Sequence, residues 1–147
     1  MSNLKTTTLR GHLNVVYDMD WFDEQTLVSV SSDRTGIVWF LTPDAYTMRI
    51  LPHPSFLYAV KCLQISSRHV WVATGGRDSI LRFWKVHRGD DSKRLYELNA
   101  ELDSHQNYIT AITCTRKFNR IYSSDWDGVI VEWSKTSQSG CAYEFSR

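Results

Sequence analysis

Three stretches of this sequence carry the same four residue types in the same order, and this repeat constrains the fold more than any other feature. Each stretch has a His, then a Ser or Thr four residues before an Asp, then a Trp six residues after that Asp. Only the His-to-Asp separation varies, at 21, 25 and 22 residues. The three quartets are His12, Ser29, Asp33 and Trp39; His53, Thr74, Asp78 and Trp84; and His105, Ser123, Asp127 and Trp133. The chain is therefore expected to fold as a row of similar units.

Each repeat also contains short segments rich in Val, Ile and aromatic residues, a composition typical of β-strands. Three such segments follow one another in every repeat, and a weaker fourth segment ends it. The Asp-to-Asp distances of 45 and 49 residues are close to the roughly 40–45 residues of a four-stranded propeller blade. We predict an all-β fold of three four-stranded antiparallel blades, at about 9–51, 52–101 and 102–147. The weakest predicted strand is the last, at about 142–145.

A Ser, a His and an Asp in one repeat could form a nucleophilic triad, but their threefold recurrence with a Trp favours a structural role. The His would hold the Asp of a tight turn, the hydroxyl would join them, and the indole N–H would donate to the network. No catalytic residue and no cofactor are expected. A metal site is not expected either, because Cys62 and Cys114 stand nine residues after a repeat His, where the first repeat has Trp21. Zinc sites favour closely spaced Cys pairs instead.

Composition narrows the classes of partner. The net charge is +1, from 17 basic and 16 acidic residues, so an electrostatic nucleic-acid binder is not expected. The apolar runs are too short for a direct membrane span. The three cysteines are an odd, sparse set, which favours a reduced, intracellular compartment. Other proteins are therefore the expected partners.

The quartets, found three times in register, resemble the WD40 repeat family over nearly the whole chain. Departures from the family pattern occur, since only Gly11-His12 keeps the Gly-His pair and the last Trp of each repeat is not followed by Asp. The resemblance implies a WD40-type β-propeller that binds proteins and is not an enzyme. A narrower resemblance, to a family of ciliary scaffold proteins, rests on LRGHLNVVYD (9–18), LPHPSF (51–56), RFWKV (82–86) and GVIV (128–131). It implies a role in cilium assembly at the basal body or transition zone, within the cytoplasm and cytoskeleton.

Three blades make an incomplete propeller, because closure takes roughly four to eight and open strand edges invite aggregation. A fragment of a longer gene product is the favoured explanation, with further blades elsewhere in the full-length chain. Assembly with another chain, or a misread tail at about 137–147 in place of a fourth blade, are the alternatives. The competing functions are an adaptor in another pathway, such as the substrate receptor of a ubiquitin ligase, and a fragment with no independent function.

Propellers usually bind partners on the face that carries the turn between the second and third strands. Phe56 and Tyr108 lie three residues after a repeat His, and Arg77 and Trp126 lie just before a turn Asp. Aromatic and Arg side chains are enriched at interaction hot spots. These four residues are the predicted protein-binding face. For nearby Tyr17 and Tyr58 the alternative is a position in the core.

Overall fold

A computed structural model of the chain describes residues 4–89, 94–135 and 145–146. Within these residues, twelve strands form three antiparallel sheets of four strands each. The first sheet holds β1 (Val16–Asp23), β2 (Thr26–Ser31), β3 (Thr35–Leu41) and β4 (Tyr46–Pro52). The second holds β5 (Leu57–Leu63), β6 (His69–Gly76), β7 (Ile80–His87) and β8 (Tyr96–Asp103). The third holds β9 (Ile109–Cys114), β10 (Arg120–Asp125), β11 (Ile130–Lys135) and β12 (Phe145–Ser146).

Consecutive strands are neighbours in every sheet, so each sheet is an up-and-down meander with the layout of a propeller blade. The prediction of an all-β fold built from four-stranded antiparallel blades is confirmed. Blades 1 and 2 extend slightly past the predicted boundaries, because β4 ends at Pro52 and β8 ends at Asp103. The predicted strand at about 142–145 lies mostly outside the described residues, and the strand that pairs with β11 is Phe145–Ser146.

The tight turn between the second and third strands has the same backbone in all three blades. The residue after the turn Asp takes a positive φ each time, at 69° for Arg34, 67° for Ser79 and 82° for Gly128. Such left-handed conformations belong to turns, and glycine adopts them without strain. The three turns are therefore equivalent positions, and side chains that flank them can be compared directly.

Each innermost strand carries a β-bulge near its start. The register shift leaves Tyr17 unpaired in β1, Tyr58 unpaired in β5 and Thr110 unpaired in β9. All three residues stand five positions after a repeat His. A bulge bends the strand and re-aims the side chain of its extra residue. Near the start of each innermost strand, one extra side chain therefore departs from the regular alternation of the strand.

The core lies between blades rather than within them. One buried cluster fills the space between blades 1 and 2, and it includes Val30, Val38, Leu57, Val72 and Trp84. A second cluster fills the space between blades 2 and 3, with Phe83, Ile109, Ile121, Val131 and Trp133 among its members. Burial of each large apolar side chain contributes about 1.5–3 kcal/mol. Blade packing is therefore the main source of stability.

Polar links also join the innermost strands of blades 1 and 2. Asp18 accepts a hydrogen bond from the backbone N–H of Val60 at 3.1 Å, and Asp20 accepts one from the N–H of Cys62 at 2.9 Å. Further along, the Gln64 side-chain amide donates to the carbonyl of Phe22. Strand β1 thereby satisfies N–H groups of its neighbour that face no strand partner. The two blades are held in a fixed relative position by hydrogen bonds as well as by apolar contacts.

The outward side of blade 1 presents apolar groups to solvent. Met19 and Trp21 are 62% and 53% exposed. Their equivalents in blade 2, Val60 and Cys62, are both buried against blade 1. Blade 1 therefore shows on its free side the surface that blade 2 buries in an interface between blades.

Candidate functional site

Blade 1 contains a complete quartet. His12 Nδ1 lies 2.9 Å from a carboxylate oxygen of Asp33, and His12 Nε2 lies 2.7 Å from the Ser29 hydroxyl. The same hydroxyl accepts a hydrogen bond from Trp39 Nε1 at 2.8 Å. Indole, hydroxyl, imidazole and carboxylate therefore form one continuous chain, which anchors the turn of blade 1 onto its strands.

The Asp33 carboxylate is the acceptor at the end of this chain. Burial alone would raise its pKa, but hydrogen bonds from the Thr35 hydroxyl, the Leu13 N–H and His12 outweigh burial and lower the pKa to about 2. Its side chain is only 7% exposed. The carboxylate is thus ionised and fully engaged, so it is unavailable for chemistry on a substrate.

Blade 2 departs from the predicted quartet at its acid. His53 Nε2 lies 2.9 Å from the Thr74 hydroxyl, which accepts from Trp84 Nε1 at 3.0 Å, as in blade 1. His53 Nδ1, however, donates to the backbone carbonyl of Leu51 at 2.9 Å and not to Asp78. Burial lowers the pKa of His53 to about 4, so the ring is neutral and one proton on Nδ1 is sufficient.

Asp78 of blade 2 pairs with a cation instead of the histidine. Its carboxylate lies 2.8 Å from the Arg82 guanidinium, which also contacts Glu101 at 2.8 Å. The Arg82 side chain is 7% exposed, and a buried guanidinium needs carboxylate partners. The expectation that Asp78 completes a quartet with His53 is wrong, because the nearby Arg82 takes its carboxylate.

Blade 3 keeps the network but uses a different acid. His105 Nδ1 lies 2.8 Å from a carboxylate oxygen of Asp125, and Nε2 lies 2.6 Å from the Ser123 hydroxyl, which accepts from Trp133 Nε1. The predicted acid, Asp127, is exposed and accepts instead from the Asn107 side chain at 3.0 Å. The assignment of Asp127 is therefore wrong.

The register of blade 3 explains the exchange. Asp125 occupies the position of Ser31 in blade 1, at the last residue of the second strand. From there its carboxylate also accepts the N–H groups of Asp127 and Val129, both at 3.0 Å. These bonds and His105 lower the Asp125 pKa against the opposing effect of burial. The Asp125 carboxylate on the strand accepts hydrogen bonds from both the histidine and the N–H groups of the turn. Asp127, at the usual turn position, is therefore not needed for either role.

In all three networks the hydroxyl group is buried, whereas the nucleophile of a catalytic triad must be accessible to its substrate. The hydroxyl-bearing residues Ser29, Thr74 and Ser123 are 5%, 0% and 1% exposed. Each hydroxyl is already bonded to an indole N–H and an imidazole. A nucleophile needs a free path to its substrate, so these geometries support a structural role.

The turn face carries a row of exposed and half-buried aromatic side chains that crosses all three blades. We call Tyr17, Tyr58, Tyr108 and Trp126 the aromatic row. Tyr17 and Tyr58 meet edge to face with ring centroids 4.9 Å apart, and both the Tyr58–Tyr108 and Tyr108–Trp126 centroid distances are 6.0 Å. These separations lie in the favourable range for aromatic pairs. Trp126 at the end of the row is 69% exposed.

Arg77 packs onto this row from blade 2. Its guanidinium carbon lies 5.4 Å from the ring centroid of Phe56 and 5.9 Å from that of Tyr108. Both distances are within the reach of cation–π attraction. The structure therefore brings the four predicted face residues, Phe56, Arg77, Tyr108 and Trp126, into one continuous surface.

Backbone hydrogen bonds explain why these residues meet. In each blade the residue before the turn Asp donates its N–H to the carbonyl of the residue three positions after the His. The Arg77 N–H bonds to Phe56 at 2.9 Å, and the Trp126 N–H bonds to Tyr108 at 3.0 Å. Sequence spacing found these pairs. It left Tyr17 and Tyr58 undecided, because the bulges that turn them into the row have no separate signature in the sequence.

Within the described part of the chain, no cluster of three or more His, Cys, Asp or Glu side chains could hold a metal ion. Among the same residues, no helix has the length and apolar character needed to cross a bilayer. Cys62 and Cys114 are free thiols, and burial raises the pKa of both.

Comparison with known proteins agrees with the geometry. The family model described as WD domain, G-beta repeat matches residues 3–39, 47–85 and 96–134. Jouberin from Mus musculus is 40% identical over 127 residues, covering 85% of this chain but 12% of the mouse protein. The G protein subunit beta-1 of Homarus americanus is 31% identical over 140 residues, covering 91% of this chain and 38% of that protein.

A solved structure shows the same fold. The WD40 β-propeller domain of Doa1 superposes with a TM-score of 0.71 at 22% identity, covering 87% of this chain and 40% of that chain. The chain therefore spans well under half the length of these relatives.

Proposed function

Because the chain belongs to the WD40 repeat family, we propose that it is a non-enzymatic scaffold that binds other proteins through the aromatic row. The observation that carries the proposal is the continuous surface formed by exposed Arg77, half-buried Tyr108 and exposed Trp126. Trp, Tyr and Arg are the residue types enriched at the hot spots of protein interfaces. Each ring of the row also packs against the next, and side chains ordered before binding lose less entropy when a partner binds.

The finer part of the proposal is a role in cilium assembly at the basal body or transition zone. Its support is the 40% identity to mouse jouberin, the ciliary scaffold family whose sequence pattern the chain resembles. A tagged copy of the chain in ciliated cells should concentrate at the ciliary base. A diffuse cytoplasmic signal, or one at a ubiquitin ligase, would favour an adaptor in another pathway.

We also propose that further blades of the same full-length chain complete the ring. The exposed Met19 and Trp21 support this, because their equivalents in blade 2 are buried between blades. The chain also spans only 40% of the Doa1 propeller chain it superposes on. Strand edges left open are otherwise an aggregation hazard.

The test of partner binding compares an exposed side chain of the aromatic row with one outside it. Trp126→Ala should reduce the capture of partner proteins from ciliated-cell lysate by about tenfold or more, as expected for a hot-spot residue. Leu98→Ala is the control, because Leu98 is 45% exposed on the outer strand β8, outside the aromatic row and away from the free side of blade 1. Thermal melts of both variants identify any loss through unfolding. Equal capture by the chain and a folded Trp126→Ala variant would exclude the row as the binding surface.

A further inference from the structure

We propose that the aromatic row selects an acidic peptide, in which an Asp or Glu carboxylate binds Arg77 and flanking apolar side chains pack on the rings. This inference rests on the proposed function and names the chemistry of the partner. The carboxylate would accept from the guanidinium in its plane, while aromatic or aliphatic neighbours on the peptide would contact Tyr108 and Trp126.

The first support is that Arg77 carries an uncompensated charge. It is exposed at the centre of the row, held over Phe56 and Tyr108 by its two ring contacts. No carboxylate of the described residues lies within salt-bridge distance of its guanidinium, although Arg82 and Arg88 are both paired. A guanidinium that is already ordered loses little further entropy when it binds a carboxylate.

The carboxylates around the row are already engaged elsewhere. Asp78, next to Arg77, pairs with Arg82 at 2.8 Å. Asp127, next to Trp126, accepts from Asn107. Asp18, next to Tyr17, accepts from the N–H of Val60. Each of these three acids thus has a partner inside the protein, and none of them pairs with Arg77.

The tyrosines of the aromatic row also carry hydroxyl groups that can donate hydrogen bonds. Among the described residues, no hydrogen bond engages the hydroxyl groups of Tyr17, Tyr58 or Tyr108. Burial and the neighbouring Tyr17 raise the pKa of Tyr58, so its hydroxyl keeps its proton and can donate. The guanidinium N–H groups and the phenol O–H groups are hydrogen-bond donors, and apolar rings surround them. Such a surface is complementary to a carboxylate that is flanked by apolar side chains.

The same geometry disfavours two other ligands. A cationic side chain would be repelled by the Arg77 guanidinium, which lies over the rings of Phe56 and Tyr108. A phosphate group is usually recognised by a cluster of arginines. Arg77 is the only cation stacked on the row within the described residues. One guanidinium matches one carboxylate.

The experiment uses fluorescein-labelled peptides of the form Gly-Phe-X-Phe-X-Phe-Gly, in which X is glutamate, glutamine or phosphoserine. Fluorescence anisotropy gives the Kd of each peptide for the chain. The glutamate peptide should bind about tenfold more tightly than the glutamine peptide, as expected for hydrogen bonds to a charged group. Arg77→Gln should bring that ratio close to one, and Arg77→Lys should give an intermediate ratio because it loses the planar fork.

Arg34→Gln is the matched control, because it removes the same charge from an exposed arginine on the turn of blade 1, away from the ring contacts of Arg77. It should leave the tenfold ratio intact. Equal binding of glutamate and glutamine peptides, a ratio unchanged in Arg77→Gln, tighter binding of the phosphoserine peptide, or no binding of any peptide would each overturn the proposal. If all peptides bind equally and Trp126→Ala abolishes their binding, the acid selectivity fails while the aromatic row keeps its role as a protein-binding surface.

Discussion

Asp33 offers the sharpest test of the network in blade 1, through the substitution Asp33→Asn. The amide keeps the shape of the carboxylate but loses its charge and one of its acceptor oxygens. In the folded chain the pKa of Asp33 is about 2, against an ordinary 3.8. A lowering of this size corresponds to about 2.5 kcal/mol of stability at neutral pH. Asp33→Asn should therefore lower the free energy of unfolding by about 2.5 kcal/mol at pH 7.

The pH dependence fixes the sign of this effect. Because the folded-state pKa is lowered, the stabilisation is fully present above pH 4 and is lost as the pH falls toward about 2. Other carboxyl groups, including Asp125 and Asp23, also have lowered pKa values. The informative quantity is therefore the difference between the chain and its Asp33→Asn variant, which should shrink over that interval.

Urea unfolding, followed by tryptophan fluorescence at pH 7, pH 4 and pH 2.5, measures this difference. The control is Asp44→Asn, since the Asp44 side chain is 94% exposed and 4.0 Å from Lys5. Its removal should leave stability nearly unchanged. A variant at Asp33 as stable as the control at pH 7, or a stability difference that does not narrow in acid, would refute the network as the origin of the low pKa.

Three further predictions concern other positions. Gly76→Ala should destabilise the chain by about 1–3 kcal/mol, because its Cβ would collide with the backbone carbonyl oxygen of Phe56, the residue before β5, whereas Gly89→Ala meets nothing within 4 Å and should be neutral. Asp125→Ala should lower the urea midpoint clearly more than Asp127→Ala, since only Asp125 bonds to the histidine of blade 3, and equal shifts would restore the predicted quartet. The ring of His53 should show no NMR titration near pH 6.5 but should titrate near pH 4. The contribution of His53 to the free energy of unfolding should fall by about 3 kcal/mol as the pH drops from 6.5 to 4, because the unfolded state takes up the proton first. A titration midpoint near 6.5 would exclude a buried neutral ring.

Much of the fold was accessible from the sequence because the repeat is periodic. The fixed offsets of Ser29, Asp33 and Trp39, recurring in the other two stretches, indicated blades of four strands. Strand ends were less accessible, since β8 begins at Tyr96 and runs to Asp103 through a segment of mixed polarity. The positions of Arg77 and Trp126 on the turn face could also be predicted. The turn between the second and third strands has the same length in each blade, so the residue before its Asp occupies the same place in each blade.

The acids of blades 2 and 3 could not be predicted from spacing. Asp78 has the right offset from its Thr and Trp, but Arg82, four residues later, takes its carboxylate. Asp127 also has the right offset, but the chain carries a second acid, Asp125, two residues earlier. The choice between competing partners depends on where the side chains lie in the folded chain, and periodicity carries no such information.

Across the three blades, the constant requirement is an acceptor for Nδ1 of the histidine rather than an Asp at one position. Asp33 supplies it in blade 1, a backbone carbonyl supplies it in blade 2, and Asp125 supplies it in blade 3. A buried N–H without an acceptor costs about 1–3 kcal/mol, and any acceptor of correct geometry removes that cost. In blade 2 the carbonyl frees Asp78 for Arg82, and Arg82 in turn occupies the acid nearest to Arg77. The departure from the quartet in blade 2 therefore leaves the arginine at the centre of the aromatic row unpaired, where a partner's carboxylate can reach it.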